Sequence, residues 1–214
     1  MKITKFTHAC LRLETQGSVL WIDPGNFSED FAATKSSAVV ITHQHEDHCH
    51  RPNIEKLLEL NPSLKIFSTF EVAEKLAGID VTVVLHGDLY EVDGFKLEFF
   101  GDMHQEIHRS LPLVQNTAVM VNGSFYYPGD SYTPPEHQPK LLAVPSSAPW
   151  LKIADVIDYL ELVRPKLCFP THNALLSDIG QQLQNSRIQE IVEKNGGEFR
   201  YLKPGESIDL EGDN

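Results

Sequence analysis

Apolar and β-branched residues form short runs that alternate with segments of helical pattern in the first third of the chain. Runs within residues 1–22 and at 38–42 and 65–68 predict β-strands, because each is short and is bounded by turn residues. Apolar positions with a helical period predict helices at about 53–60 and 70–77. Strands and helices that alternate in this way indicate an α/β protein.

The middle of the chain is dominated by strands, and the last third alternates again. Five strand-like runs lie between residues 81 and 127, where Asp93-Gly94 and Asn122-Gly123 predict hairpin turns. Further strands are predicted at 141–145, 167–170 and 199–202, and further helices at 152–163 and about 177–195. Two sheets packed face to face with helices outside fit this order, so we expect a single domain over residues 1–214 with an acidic tail from about 205.

Composition supports one globular domain. The 214 residues are 41% hydrophobic and 22% charged, which is ordinary for such a domain. The N-terminus has no apolar core of signal-peptide length, and no stretch approaches about 18 apolar residues, so we expect a cytoplasmic protein without membrane segments. The three cysteines, Cys10, Cys49 and Cys168, are too few and too scattered for a disulfide framework, so we expect them to be reduced.

The formal net charge of −12 bears on the partners of the protein. It argues against broad electrostatic binding to nucleic acid or to an anionic membrane surface. It does not argue against a small anionic substrate, because divalent cations in a pocket invert the local field. We therefore expect a small-molecule substrate, and a homo-oligomer stays possible because no sequence feature marks an interface.

Residues 43–48, His43-Gln44-His45-Glu46-Asp47-His48, place three imidazoles and a carboxylate in one short segment. Imidazole nitrogens and carboxylate oxygens are the usual ligands of zinc and similar divalent ions. The segment lies between a predicted buried strand and a predicted helix, so it forms a loop in which side chains can converge. This pattern predicts a metal site, and a cluster of solvated surface residues is the alternative interpretation.

Three further candidate ligands also follow predicted strands. They are His104, Asp130 and His172. Each is weak evidence alone, because a single histidine is more often not a ligand and a Gly-Asp pair is usually a turn. Together with the 43–48 segment they supply the number of ligands that a site for two metal ions requires.

With Asp23, these residues form an ordered set that resembles the metallo-β-lactamase superfamily over about residues 1–205. The resemblance implies a four-layer αββα sandwich and a metal-dependent hydrolase. Three further segments resemble those of small single-domain hydrolases related to ascorbate-6-phosphate lactonase. They are His8-Ala9-Cys10, the pair His104 and His108, and Tyr127-Pro128-Gly129-Asp130-Ser131.

The resemblance also implies a role for each candidate ligand. The implied sites are a first ion held by His43, His45 and His104, a second held by Asp47, His48 and His172, and Asp130 as the bridge between them. Asp23 would orient ligands through hydrogen bonds. The two divalent ions are expected to be zinc, with manganese or iron as alternatives.

The implied reaction is attack by a metal-bridging hydroxide on a carbonyl carbon or a phosphorus atom. Superfamily members with two irons that reduce oxygen carry Glu at position 45, whereas this chain has His45, so hydrolysis is favoured. The leading expected substrate is a small anionic lactone or related ester. Two alternatives stay open: phosphodiester hydrolysis, and a member that binds metal and a ligand without turnover.

Five residues are candidates for a role in catalysis or in contact with the substrate. His108 lies four residues after His104 and is a candidate proton donor, and Asp47 is a candidate catalytic residue as well as a ligand. His8 and His50 are possible lining residues of the pocket. Trp150 lies between a predicted strand and a predicted helix and is expected to form either a pocket wall or a packing contact.

Overall fold

The computed structural model describes residues 1–28 and 30–210, which form two β-sheets and four α-helices. The first sheet contains β1 (Lys2–Lys5), β2 (Leu11–Thr15), β3 (Ser18–Ile22), β4 (Ala38–Ile41), β5 (Lys65–Ser68) and β6 (Thr82–Val83). The second contains β7 (Leu89–Val92), β8 (Phe95–Phe100), β9 (Ala118–Val121), β10 (Phe125–Tyr127), β11 (Leu141–Pro145), β12 (Leu167–Thr171) and β13 (Glu198–Phe199). A last strand, β14 (Ser207–Asp209), joins the first sheet beside β1. The helices are α1 (Arg51–Leu60), α2 (Phe70–Lys75), α3 (Ile153–Val163) and α4 (Asp178–Lys194).

Both sheets have seven strands and combine antiparallel and parallel pairing. The spatial order is β14-β1-β2-β3-β4-β5-β6 in the first sheet and β13-β12-β11-β10-β9-β8-β7 in the second. In the first sheet, β1 pairs antiparallel with β2, and β2 with β3. In the second, β7, β8, β9 and β10 pair antiparallel in chain order. The pairs from β3 to β6 and from β10 to β13 are parallel.

Three buried hydrophobic clusters define four layers. One lies between the sheets and joins, for example, Leu13 and Val40 of the first sheet to Phe99 and Phe169 of the second. The other two lie where each sheet packs on its helices. Representative members are Trp21, Val39, Ile54 and Val72 on the side of α1 and α2, and Tyr126, Leu142, Leu160 and Ile188 on the side of α3 and α4. The layers are therefore helices, sheet, sheet and helices, which is the expected αββα sandwich.

The C-terminal end differs from the sequence prediction. Residues 199–202 were predicted as the last strand, but β13 is shorter and β14 follows it. β14 pairs with β1, and its central residue, Ile208, is buried. Part of the predicted acidic tail therefore belongs to the first sheet. The remaining part of that tail, 211–214, lies outside the described residues. Within the described chain, no helix is both long and apolar enough to cross a bilayer.

Candidate metal centre

The candidate ligands leave the carboxyl ends of strands that point the same way. β1, β3 and β4 run in one direction in the first sheet, and β8, β10 and β12 share one direction in the second. The segments after these strands carry His8, Asp23, the 43–48 loop, His104, Asp130 and His172. Backbone hydrogen bonds join the two sheets here, from Thr117 N to the Thr42 carbonyl (2.9 Å) and from His172 N to the His8 carbonyl (3.1 Å). The fold therefore gathers side chains that are far apart in sequence at one edge.

The structure brings all seven predicted ligands into one cluster. Within it, three groups of residues each offer ligand atoms that lie within 4.8 Å of one another. These groups are His43, His45 and His104; His8, Asp47, His48 and His172; and His43, His48 and Asp130. The first two groups correspond to the two implied ion positions, with His8 in addition, and the third places Asp130 between them.

Asp23 orients two of the histidines. Its Oδ2 accepts hydrogen bonds from His48 Nδ1 and from the Thr42 hydroxyl, both at 2.7 Å. Because the single hydroxyl proton of Thr42 goes to Asp23, the Thr42 oxygen accepts from His43 Nδ1 at 3.0 Å. Both histidines therefore carry their proton on Nδ1 and direct the lone pair of Nε2 into the cluster.

His104 and His172 are oriented by backbone carbonyls. His104 Nδ1 donates to the Gln105 carbonyl and His172 Nδ1 donates to the Ser147 carbonyl, each at 2.5 Å. A carbonyl oxygen only accepts, so the proton again lies on Nδ1 and the lone pair on Nε2. His172 also adopts a left-handed backbone conformation with φ +56°, as do His8 and Asp23. Such backbone strain in non-glycine residues is typical of functional sites.

These side chains leave buried acceptors that no protein group satisfies. Across the described residues, the Nε2 atoms of His43, His48, His104 and His172 and the Oδ1 atom of Asp130 are buried without a hydrogen-bond partner. Unpaired buried polar atoms cost roughly 1–3 kcal/mol each, so native proteins rarely retain five together. Converging nitrogen lone pairs and a carboxylate oxygen are instead the donor set of a divalent cation. The residues therefore fit a metal site.

Asp130 lies at the centre of this set. Its Oδ1 is 3.4 Å from His48 Nε2, and its Oδ2 is 3.4 Å from His104 Nε2 and 3.2 Å from His172 Nε2. The Trp150 indole donates to the same Oδ2 at 3.0 Å. Both carboxylate oxygens thus face histidines of different groups, which is the position of a bridging ligand.

The electrostatics of the cluster favour positive charge. Burial raises the pKa of Asp130, but the neighbouring His172 and His48 outweigh it and hold that pKa well below its usual value. Conversely, burial lowers the pKa of His172, but Asp130 and Asp47 outweigh it and raise the pKa, so Nε2 binds a proton unless a cation takes that place. Burial and His48 lower the pKa of His43, which keeps that ring neutral. The carboxylates therefore stay ionised in a buried place, where a cation relieves their repulsion.

His8 belongs to the cluster but differs from the four histidines described above. Burial lowers its pKa to about 4, so the ring is neutral at pH 7. The Ala174 backbone N–H donates to Nδ1 at 3.4 Å, so the proton lies on Nε2, which donates to Asp47 Oδ2 at 3.1 Å. The ring is fully buried. The ring therefore contacts a carboxylate, and His8 is not among the described residues that line the cavity beside the cluster.

A second loop, which follows β3, packs against the backbone of the 43–48 loop. A Cβ on Gly25 would lie 1.8 Å from the carbonyl oxygen of Asp47, so the two backbones touch. The Asn26 N–H donates to the Glu46 carbonyl at 2.8 Å, and the Asn53 amide donates to the Gly25 carbonyl at 3.0 Å. Only glycine allows this approach.

A cavity of about 360 Å³ opens beside the cluster. Its lining includes His45, Asp47, His104, Asp130 and His172 together with Trp150, for which the sequence left a pocket wall and a packing contact open. His50, which precedes α1, and His108 are not among the described residues that line it. The His108 ring is exposed and hydrogen-bonded to Ser110 Oγ at 2.7 Å.

Several residues of this site were not predicted from the sequence. Thr42 and Asn116 position ligands: the Asn116 side-chain oxygen accepts from Asp130 N at 3.0 Å. Phe27, Ile107 and Leu175 line the cavity. For Thr42 the only available signal is its place directly before His43, and the others lie in segments without a motif.

Comparison with known proteins agrees with this architecture. The family described as "Beta-lactamase superfamily domain" matches residues 2–172. "Protein Rv0786c" of Mycobacterium tuberculosis is 34% identical over 198 residues, which cover 90% of this chain and 93% of that protein. A "UPF0173 metal-dependent hydrolase" of Geobacillus thermodenitrificans is 28% identical and covers 98% of this chain and 100% of its own.

Among solved structures, Igni18, described as a novel metallo hydrolase from Ignicoccus hospitalis, superposes with a TM-score of 0.74. The alignment covers 99% of both chains at 22% identity and so shows a shared fold. The layers are those of the metallo-β-lactamase fold.

The chain belongs to the β-lactamase superfamily. This confirms the family, the fold and the class of metal-dependent hydrolase predicted from the sequence. The finer likeness to enzymes related to ascorbate-6-phosphate lactonase stays a prediction.

Proposed function

We propose that this protein is a dinuclear metal-dependent hydrolase that cleaves a lactone or related ester bond in a small molecule. The observation that carries the proposal is the set of four buried, unpartnered Nε2 atoms arranged around the Asp130 carboxylate. A structural cluster of histidines would satisfy these nitrogens with protein hydrogen bonds. Here their Nδ1 atoms are satisfied and their Nε2 atoms are left for a cation.

The two groups of ligand atoms support two ion positions. The proposed ligands are His43, His45 and His104 for the first ion, Asp47, His48 and His172 for the second, and Asp130 for both. When bound, two such ions supply a water-derived nucleophile at neutral pH and positive charge against a developing oxyanion. Two close cations repel each other, and the negative charge of Asp130 between them offsets that repulsion.

The donor set fits zinc, with manganese or iron as alternatives, because it contains only nitrogen and oxygen. Cys49 follows His48 directly but is buried among hydrophobic residues of the α1 side. Burial raises the pKa of its thiol to about 11, so the thiolate that a metal would need is disfavoured.

The protein side chains hold and orient the reacting groups. Asp47 is held by His8 and reaches the cavity, so it is placed to contact both a metal ion and the substrate. Trp150 holds Asp130 from the cavity wall. For His108 to donate a proton, its loop would have to carry the exposed ring into the cavity.

The test uses protein purified without added metal. We expect about two metal ions per chain by elemental analysis, and hydrolysis within a panel of lactones and esters that a chelator abolishes and the metal restores. Asp130→Asn should lower kcat/KM by at least about 100-fold, whereas Asp158→Asn, at an exposed position of α3, should not. Activity that survives both the chelator and Asp130→Asn would overturn the mechanism.

The same experiment distinguishes the alternatives. Hydrolysis of bis(p-nitrophenyl) phosphate in preference to every ester would replace the ester assignment with phosphodiester hydrolysis. Two bound ions without hydrolysis of either class would instead favour a metal-binding protein that recognises a ligand without turnover.

A further inference from the structure

The cavity beside the candidate metal centre has an apolar wall. Apart from the candidate ligands, its described lining residues are Asn26, Phe27, Glu46, Ile107, Pro149, Trp150 and Leu175. Five of these seven are apolar, and none is a lysine or an arginine. Enzyme pockets that bind phosphorylated or carboxylated molecules place cationic side chains on the charged group. This part of the lining offers no such partner.

Three of the apolar lining residues, at the mouth of the cavity, are exposed. Phe27 and Ile107 are each 38% exposed, and Leu175 is 59% exposed. They come from three separate segments of the chain, yet all three border the same opening. A second hollow of about 320 Å³ shares Asn26, Phe27 and Leu175 and continues the concave surface past the mouth. Large side chains that remain exposed around a concave site typically contact an apolar ligand.

The charged residue in this part of the lining, Glu46, is held in an ion pair. Glu46 lines the cavity, and its carboxylate pairs with Lys75 at 2.8 Å. Lys75 is not free to receive a ligand, because its ammonium also donates to the Gln44 carbonyl at 2.6 Å. A substrate anion placed away from the metal ions would therefore lose its hydration without gaining a cationic partner.

We propose that the substrate is an uncharged ester or lactone with an apolar body, and that Phe27, Ile107 and Leu175 hold this body at the mouth. This inference rests on the proposed hydrolase function and gives its substrate class. It differs from the anionic substrate expected from the sequence. The reactive carbonyl would lie at the candidate ligands, and the hydrocarbon part would lie against Phe27, Ile107 and Leu175.

The test compares two esters that differ only in charge. The pair is 4-nitrophenyl hexanoate and mono-4-nitrophenyl adipate, which share the leaving group and the chain length but end in a methyl or a carboxylate. With the metal-loaded protein, we expect kcat/KM for the neutral ester to exceed that for the anionic ester by at least about 10-fold. Equal values, or a preference for the adipate, would overturn the proposal.

A charge placed at the mouth should change this preference. Leu175→Lys supplies the missing cation, so the ratio of the two kcat/KM values should fall by about 10-fold or reverse. Ile179→Lys is the matched control, because Ile179 is 80% exposed on α4 and is not among the lining residues described. It should leave the ratio unchanged. An equal change in both variants would show that general surface charge sets the preference and would overturn the role of the mouth.

Binding separates this proposal from the proposed function. The corresponding 4-nitroanilides of hexanoic and adipic acid carry a much less reactive bond, and their affinities can be measured by calorimetry. If neither ester is hydrolysed, the hydrolase proposal fails, while tighter binding of the neutral anilide still supports the substrate class. Tighter binding of the adipic anilide overturns the substrate class whether or not the esters are cleaved.

Discussion

The imidazole of His8 lies against the Asp47 carboxylate, with 3.1 Å between Nε2 and Oδ2. Its other nitrogen accepts the Ala174 N–H, so the ring can only donate to Asp47. The ring centroid also lies 3.9 Å from that of His172. His8 thus orients Asp47, a candidate ligand of the second ion, and has no free lone pair with which to bind a metal ion itself.

Replacing His8 should therefore lower the affinity for the second ion more than the affinity for the first. His8→Phe keeps a buried ring but leaves Asp47 without its donor, and the loss of such an orienting partner lowers metal affinity by roughly 10–100-fold. We expect titration against a chelating dye to show one weakened site and one unchanged site. His8→Gln retains an amide donor and should recover part of the affinity. Two unchanged sites in the His8→Phe protein would contradict this role.

Replacing Thr42 should likewise lower the affinity for the first ion. Its hydroxyl donates to Asp23 and accepts from His43, so it transmits the orientation of one to the other. Thr42→Val is similar in shape but leaves His43 Nδ1 without an acceptor, so the affinity of the first ion should fall by roughly 10–100-fold. Thr42→Ser restores the hydroxyl and should restore the affinity. If serine and valine give the same affinity, the hydroxyl does not position His43.

The sequence located the candidate ligands and Asp23, but not the other side chains that orient the ligands. The loops after β4, β10 and β12 could be predicted because apolar runs end there and ligand-type residues follow. Whether a histidine offers a lone pair or a proton depends on its second nitrogen, and that partner comes from a distant segment. His8 and His172 both follow strands, and only the contact with Ala174 or with the Ser147 carbonyl distinguishes them.

The helices with a long apolar pattern were predictable from the sequence. The strand that pairs with a strand far away in the chain was not. α3 and α4 agree with the predicted helices to within one residue at each end, because their start and stop signals are local. β14 has only three residues, of which Ile208 alone is buried, so its sequence carries no strand pattern. It forms because β1 offers an edge, about 200 residues earlier in the chain. Phe27, Ile107 and Leu175 of the cavity wall were missed for a related reason, because they come from three separate segments of the chain.

Gly25 should tolerate no side chain. An added Cβ would meet the Asp47 carbonyl at 1.8 Å, so Gly25→Ala must push the 43–48 loop away from the loop that follows β3. We expect a loss of metal binding and a destabilisation of a few kcal/mol in urea unfolding. Gly180→Ala is the control, because the nearest atom to a Cβ there belongs to the Leu176 side chain, at 3.2 Å, and alanine favours the helix. A Gly25→Ala protein that binds metal normally would show that the loops do not depend on this contact.

Lys5 provides a test of pH dependence outside the candidate metal centre. Its ammonium is buried and donates to the Phe6 carbonyl at 3.1 Å and to the Asn173 side chain at 3.4 Å. Burial lowers its pKa to about 8 from 10.5, against the smaller opposing effect of Asp30. The unfolded chain therefore binds this proton more tightly than the folded protein between pH 8 and 10.5, so folding becomes more favourable as the pH rises through that window.

We expect the free energy of unfolding of the wild type, relative to Lys5→Met, to be constant below about pH 8. It should then rise by about 2–3 kcal/mol toward pH 10.5, because each pKa unit corresponds to about 1.4 kcal/mol. Urea unfolding at several pH values measures this difference, and other groups that titrate there cancel in the comparison. Lys2→Met, at the exposed start of the same strand, should show no such rise. A flat difference for Lys5→Met would mean that the Lys5 ammonium keeps its ordinary pKa in the folded protein.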